Sequence, residues 1–123
     1  MTETINLTPF EIDQKLVKEI IEKVLAKEKK ERNISVAFIE KKRMRELSKR
    51  YRNQDTATDI LSFEGLNEII VCLSEVKINA KKFGVTFEKE LARVLIHGTL
   101  HLLEYSHEKM QEKQEKYLSL FFK

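Results

Sequence analysis

The chain has little of what fixes a fold by covalent or special-backbone means. It holds one cysteine, one proline and three glycines in 123 residues. A lone Cys72 excludes an internal disulfide and any metal site built from several thiolates. Its apolar neighbours make it an inert buried thiol. So few glycines and prolines leave no stretch with the composition of a flexible linker. There is no repeat, and no low-complexity tract beyond a short charge run. The longest apolar run, Ile69-Ile70-Val71-Cys72-Leu73, has five residues, against the roughly 20 needed to span a bilayer. The N-terminus carries Glu3 and no apolar segment of the secretory kind. These absences lead us to expect a single domain over residues 1–123, in a reducing cytoplasm, without a membrane partner.

What is present is a foldable pattern. Hydrophobic residues make up 41% and charged residues 35%, a balance that supports a globular core rather than disorder. Thr4 to Leu7 reads as a short edge strand. Thr8-Pro9-Phe10-Glu11 reads as a helix start with Thr8 as N-cap and Glu11 closing a capping box. Ile12, Leu16, Val17, Ile20, Ile21, Val24 and Leu25 then recur at helical spacing. Ile34, Val36 and Phe38 alternate as in a strand. Lys41 to Tyr51 is expected to be helical, with Met44, Leu47 and Tyr51 inward. Ile60–Phe63 and Glu68–Leu73 read as strands joined at Glu64-Gly65-Leu66-Asn67. Ser74 is the expected cap of a helix that stops at Gly84. Thr86 opens another that runs to about Leu103 and is apolar nearly all round at its end, which predicts a buried central helix. A last helix covers roughly Glu108 to Phe121. Strands and helices interleave without strict alternation, so the expected class is α+β: a mixed sheet of about four strands packed with helices.

All three histidines fall within 11 residues, as His97-x3-His101-x5-His107. On a helix, His97 and His101 lie about 40° apart and about 6 Å apart along the axis, a spacing that lets two imidazoles grip one ion. Three neutral imidazoles suit Zn²⁺ and leave a fourth position for water. His107 would sit about 15 Å from His97 on a continuous helix. The helix must therefore break near Glu104-Tyr105 for His107 to join. The alternative is three unrelated histidines with ordinary hydrogen bonds, which is costly for two imidazoles in an apolar helix. The spacing also matches a long zinc-peptidase motif, but that motif places its general-base Glu where this chain has Gly98.

His97-Gly98-Thr99-Leu100-His101-Leu102-Leu103-Glu104-Tyr105-Ser106-His107 resembles the signature H-G-x-L-H-L-x-G-Y-D-H of the YbeY, or rRNA maturation factor, family. Leu47-Ser48-Lys49-Arg50-Tyr51-Arg52, then Asp55 and Thr58-Asp59-Ile60-Leu61-Ser62-Phe63, resembles that family's L-N-x-x-Y-R and T-D-V-L-S-F blocks. The resemblance implies a single-strand-specific, zinc-dependent bacterial endoribonuclease. It implies action on ribosomal RNA, notably the 3′ end of the small-subunit RNA, a role in ribosome quality control, and the small subunit or its assembly proteins as partners. It maps one zinc per chain onto His97, His101 and His107, and an essential arginine onto Arg52. The chain departs from the signature at Glu104 (Gly in the family), Ser106 (Asp) and Asn67-Glu68 (Gly-Asp). A non-glycine residue at a left-handed helix end costs about 1 kcal/mol or forces another turn. Loss of the Asp removes a candidate partner for a metal ligand. Glu104 is itself a candidate base or extra ligand.

Lys41, Lys42, Arg43, Arg45, Lys49, Arg50 and Arg52 put seven positive charges into 12 residues. Such a run is either a solvated helix face or a footprint for RNA phosphates, and the adjoining family block favours RNA. Arg52 is expected to reach the metal cleft, clamp a phosphate and stabilise transition-state charge. Tyr51 and Phe63 are candidates to stack a base, with core packing the more ordinary role. Asp59 is expected to be structural, and no general base stands out. The rival functions are a non-catalytic, zinc-stabilised ribosome-assembly or RNA-binding factor and, less well supported, a peptidase.

Overall fold

Period-two burial builds the sheet. Ile34, Val36 and Phe38 are buried in β2 (Ile34–Ile39), as are Ile69 and Val71 in β4 (Glu68–Cys72). Alternate residues of each strand therefore face one core. With β1 (Thr2–Asn6) and β3 (Ile60–Phe63) they form a four-stranded sheet in the order β1-β2-β4-β3. β2 runs parallel to both β1 and β4, and β3 is antiparallel to β4. This computed structural model describes residues 1–122, and its mixed sheet and helices are the α+β class expected.

The helices are α1 (Gln14–Lys27), α2 (Lys41–Arg52), α3 (Leu73–Phe83), α4 (Phe87–Leu102) and α5 (His107–Phe121). α4 is the buried central helix. It packs on α1, α3 and α5 and lies against β3 and β4. Gly98 makes that approach possible: a Cβ there would stand 2.6 Å from Ile60 Cδ1 and 3.3 Å from Ile69. Position 98 thus faces the sheet. A glutamate there would meet the apolar core rather than serve as a base beside His97, which disfavours the peptidase reading.

The two faces of the sheet are covered unequally. The large core takes Phe38, Val36, Ile69 and Val71 with the inner faces of α1, α4 and α5. The other face holds a small cluster of Ile39, Met44, Leu61 and Cys72, with Leu47, Phe63 and Ile70 packed on it. Among the described residues no helix is long and apolar enough to cross a membrane.

Three local expectations are corrected. Thr8 does not cap α1. Asn6 Oδ1 accepts from the backbone N–H and hydroxyl of Thr8, and Thr8 Oγ1 accepts from the Phe10 N–H. These short-range bonds hold residues 6–10 as turns, and Asp13 caps the helix by accepting from the Leu16 N–H at 3.0 Å. Ser74 is not a cap, because α3 already starts at Leu73 and its N-cap is Cys72. Tyr51 does not point inward. It is 58% exposed, while Ser48, one turn earlier, is fully buried. α2 ends one residue later, at a left-handed Asn53. Gly84 and Thr86 do end α3 and cap α4 as expected.

Candidate metal centre

The break expected after His101 is present. α4 stops at Leu102, and Glu104 adopts φ +62° while its N–H donates to the His101 carbonyl at 3.0 Å. Glu104 thus takes the left-handed conformation that favours glycine, at a cost of about 1 kcal/mol. Ser106 follows as the N-cap of α5, its Oγ accepting from the Lys109 N–H at 3.4 Å. Serine and aspartate are equivalent in that role. His107 is therefore the first residue of a new helix and not the next turn of the old one.

Glu28, at the end of α1, ties this turn down. Its side chain is 4% exposed. It accepts from the hydroxyls of Tyr105 and Tyr117 and from Lys113 Nζ at 3.0 Å. Burial pushes the carboxyl pKa up, but the hydrogen bonds from Tyr105, Tyr117 and Lys113 and the Lys113 charge outweigh it. The pKa is held below the ordinary glutamate range. The same contacts raise the Tyr105 hydroxyl, through the Glu28 bond first and burial second.

His97 and His101 share one side of α4, with ring centroids 6.4 Å apart and planes inclined at 41°. His97 Nδ1 lies 2.9 Å from Gln114 Oε1 on α5. An amide oxygen only accepts, so Nδ1 is the donor here, and a neutral ring so held has its lone pair on Nε2. His101 Nδ1 is buried without a hydrogen-bond partner. Glu64 Oε1 stands 3.3 Å away, near enough to pair with a charged imidazole but not aligned for a bond. His97 and His107 both line a cavity of about 300 Å³ with Arg93, Met110, Gln114 and Glu115. The donor set suits zinc, and an orphaned buried nitrogen is what a free ligand atom presents. The side chains are not gathered, however. Among the described residues no three His, Cys, Asp or Glu stand close enough together to hold an ion.

Arg52 is the last residue of α2, and its Nη1 donates back to Ser48 Oγ at 3.2 Å. The arginine in the histidine cavity is instead Arg93. Its guanidinium is held by buried Glu90, with Nε to Oε1 at 2.9 Å, and this bond raises its pKa. Asp59 accepts from Thr58 Oγ1 and Asn79 Nδ2, each at 3.3 Å.

A family model described as "Endoribonuclease YbeY" matches residues 2–120. The chain belongs to the YbeY family. A YbeY endoribonuclease of Thermotoga petrophila is 40% identical over 114 residues, covering 83% of this chain and 76% of its own. One from Thermosipho melanesiensis is 35% identical over 124 residues, covering 91% and 90%. A solution structure of a Thermotoga maritima protein superimposes with a TM-score of 0.72 at 36% identity, covering 96% of this chain and 87% of its own.

Sequence reasoning within this YbeY chain missed Gln114, Glu64 and Arg93. Gln114 and Glu64 meet the histidines only through tertiary packing and leave no local signal. Glu90 and Arg93 did leave one: an i,i+3 ion pair on the helix that carries the histidines.

Proposed function

We propose that residues 1–123 act as one domain, a single-strand-specific endoribonuclease that uses one zinc ion held by His97, His101 and His107. The observation that carries this reading is the turn from α4 to α5. The left-handed Glu104 and the Ser106 cap return His107 to the cavity that His97 lines. When bound, zinc polarises a phosphoryl oxygen and lowers the pKa of a water. The Gln114 amide keeps the His97 proton on Nδ1 and turns Nε2 outward as the ligand atom. His101 offers its unpartnered Nδ1 as its ligand atom, with the Glu64 carboxylate 3.3 Å away. Arg52 lets go of Ser48 and clamps the substrate phosphate, whose charge and shape a bidentate guanidinium matches.

The substrate is ribosomal RNA, notably the 3′ end of the small-subunit RNA, with the small subunit or its assembly factors as partners in maturation and quality control. Family membership and the exposed cations of α2 support this, and the working place is the cytoplasm.

A second reading keeps the RNA and the zinc but drops the catalysis, leaving an assembly factor with a metal-stabilised turn. It is favoured by Arg52, the expected catalytic arginine, being bonded back to Ser48 while a different arginine lines the histidine cavity. The deciding experiment measures metal in purified, tag-free protein and in His101→Ala, then cleavage of a single-stranded RNA with and without chelator. About one zinc per chain, lost in the variant, with chelator-sensitive cleavage is expected. RNA binding with no cleavage under any metal would leave the assembly factor standing.

A further inference from the structure

The most conspicuous feature outside the histidine cavity is the ring of Tyr51. This tyrosine is the last residue but one of the basic helix, with 58% of its surface in water, although helical spacing would have it covered. It is nonetheless held. Phe63 meets it as a T-shaped partner at 5.3 Å between centroids and 77° between planes. The Arg50 guanidinium lies over it, 5.8 Å from the centroid. Arg50 is exposed on a flexible side chain and can shift to admit a flat ring over the tyrosine face.

The helix that carries the ring has more cations than its acidic neighbours pair. Lys41, Arg43 and Arg45 are paired with Glu75, Glu46 and Asp55. Among the described residues Lys42, Lys49, Arg50 and Arg52 form no salt bridge, and all four are exposed. A tyrosine face overlaid by Arg50, on a helix that exposes further cations without acidic partners, matches one ligand chemistry, an unpaired nucleobase on a polyanionic backbone. Position supports the match. Phe63, which backs the ring, is joined by one peptide bond to Glu64, whose carboxylate stands 3.3 Å from His101 Nδ1.

We infer that Tyr51, backed by Phe63 and overlaid by Arg50, is a stacking subsite for one unpaired base of a single-stranded RNA whose phosphates lie along α2. The inference rests on the nuclease reading and deepens it. A base inside a duplex has no free face to offer, so the subsite gives a physical reason for choosing single strands. It reads aromatic surface rather than base edges, so it tolerates sequence and favours purines for their larger rings.

The test uses the full chain stripped of metal, so that no cleavage intervenes, and a short fluorescent single-stranded RNA, its abasic-substituted form and its duplex. Tyr51→Ala is expected to weaken single-strand binding by about 5- to 150-fold, the usual loss on removing one stacking partner. Tyr51→Trp should restore it. Binding of the duplex and of the abasic strand should be unchanged in both variants. Single-strand binding by Tyr51→Ala within twofold of the parent overturns the subsite and leaves the nuclease reading intact, as does an equal loss on single strand and duplex. Failure of the parent chain to bind any RNA overturns both.

Discussion

The two faces of the sheet do different work. The face under α4 carries nearly the whole core, and the helix lies so close that Gly98 has no room for a side chain. The face under α2 carries four buried residues and ends in exposed cations and a half-uncovered aromatic pair. Two of the candidate metal ligands ride on the heavily packed side, and the candidate RNA contacts ride on the lightly packed one. Metal ligands must be held within a few tenths of an ångström, which dense packing on rigid elements supplies. A polymer with a flexible backbone is better met by side chains free to move.

The largest test of that contrast is core truncation. Phe38→Ala, beneath α4, should cost about 3–5 kcal/mol in urea unfolding, and Met44→Ala, beneath α2, about 2–3 kcal/mol because a thin layer collapses more easily. Equal losses would mean that the faces differ in extent but not in rigidity. Next comes Arg52→Ala. We expect RNA cleavage to fall by about 10²–10³-fold with fold and metal content unchanged; full activity would remove Arg52 from the mechanism. Gln114→Leu should weaken zinc binding by about 10–100-fold in a competition assay, with Gln114→Glu restoring it. An unaltered affinity would show that the His97 ring is fixed by packing alone.

The pH dependence of stability reports on Glu28. Its carboxyl pKa is lowered in the folded chain, so its contribution is complete above the ordinary glutamate value of about 4.3 and is lost as pH falls through the lower folded value. The stability difference between the parent and Glu28→Gln should therefore shrink on acidification below about pH 4; a difference constant with pH would mean that the carboxylate charge is not what matters. Smallest is Glu104→Gly, which relieves the left-handed residue and should raise stability by about 1 kcal/mol with zinc binding kept. A drop in zinc affinity would give Glu104 a role at the metal that its outward, exposed position does not indicate.

The sequence disclosed most where structure is local. The alternation in β2, the helix end at Gly84, the helix start at Thr86, and the break near Glu104-Tyr105 each depend on a few neighbouring residues, and each was readable. The start of α1 was not, because Asn6 engages Thr8 before the helix can use it. The outward turn of Tyr51 was not, because helical spacing says which face a residue shares but not where the covering cluster ends. The contacts of His97 with Gln114 and of His101 with Glu64 join segments distant along the chain, and no local pattern announces them. Whether His97, His101 and His107 close on one ion depends on side-chain rotations that the ion itself would drive.

Glu28 gives the molecule a sense of time. It is made 77 residues before Tyr105 and 89 before Tyr117, the two hydroxyls it must receive. A chain emerging from its N-terminus therefore carries the anchor long before it has anything to hold. The turn that presents His107 gains the Tyr105 bond first and the Tyr117 bond only once most of α5 is made, so an unfinished chain holds its turn by fewer bonds.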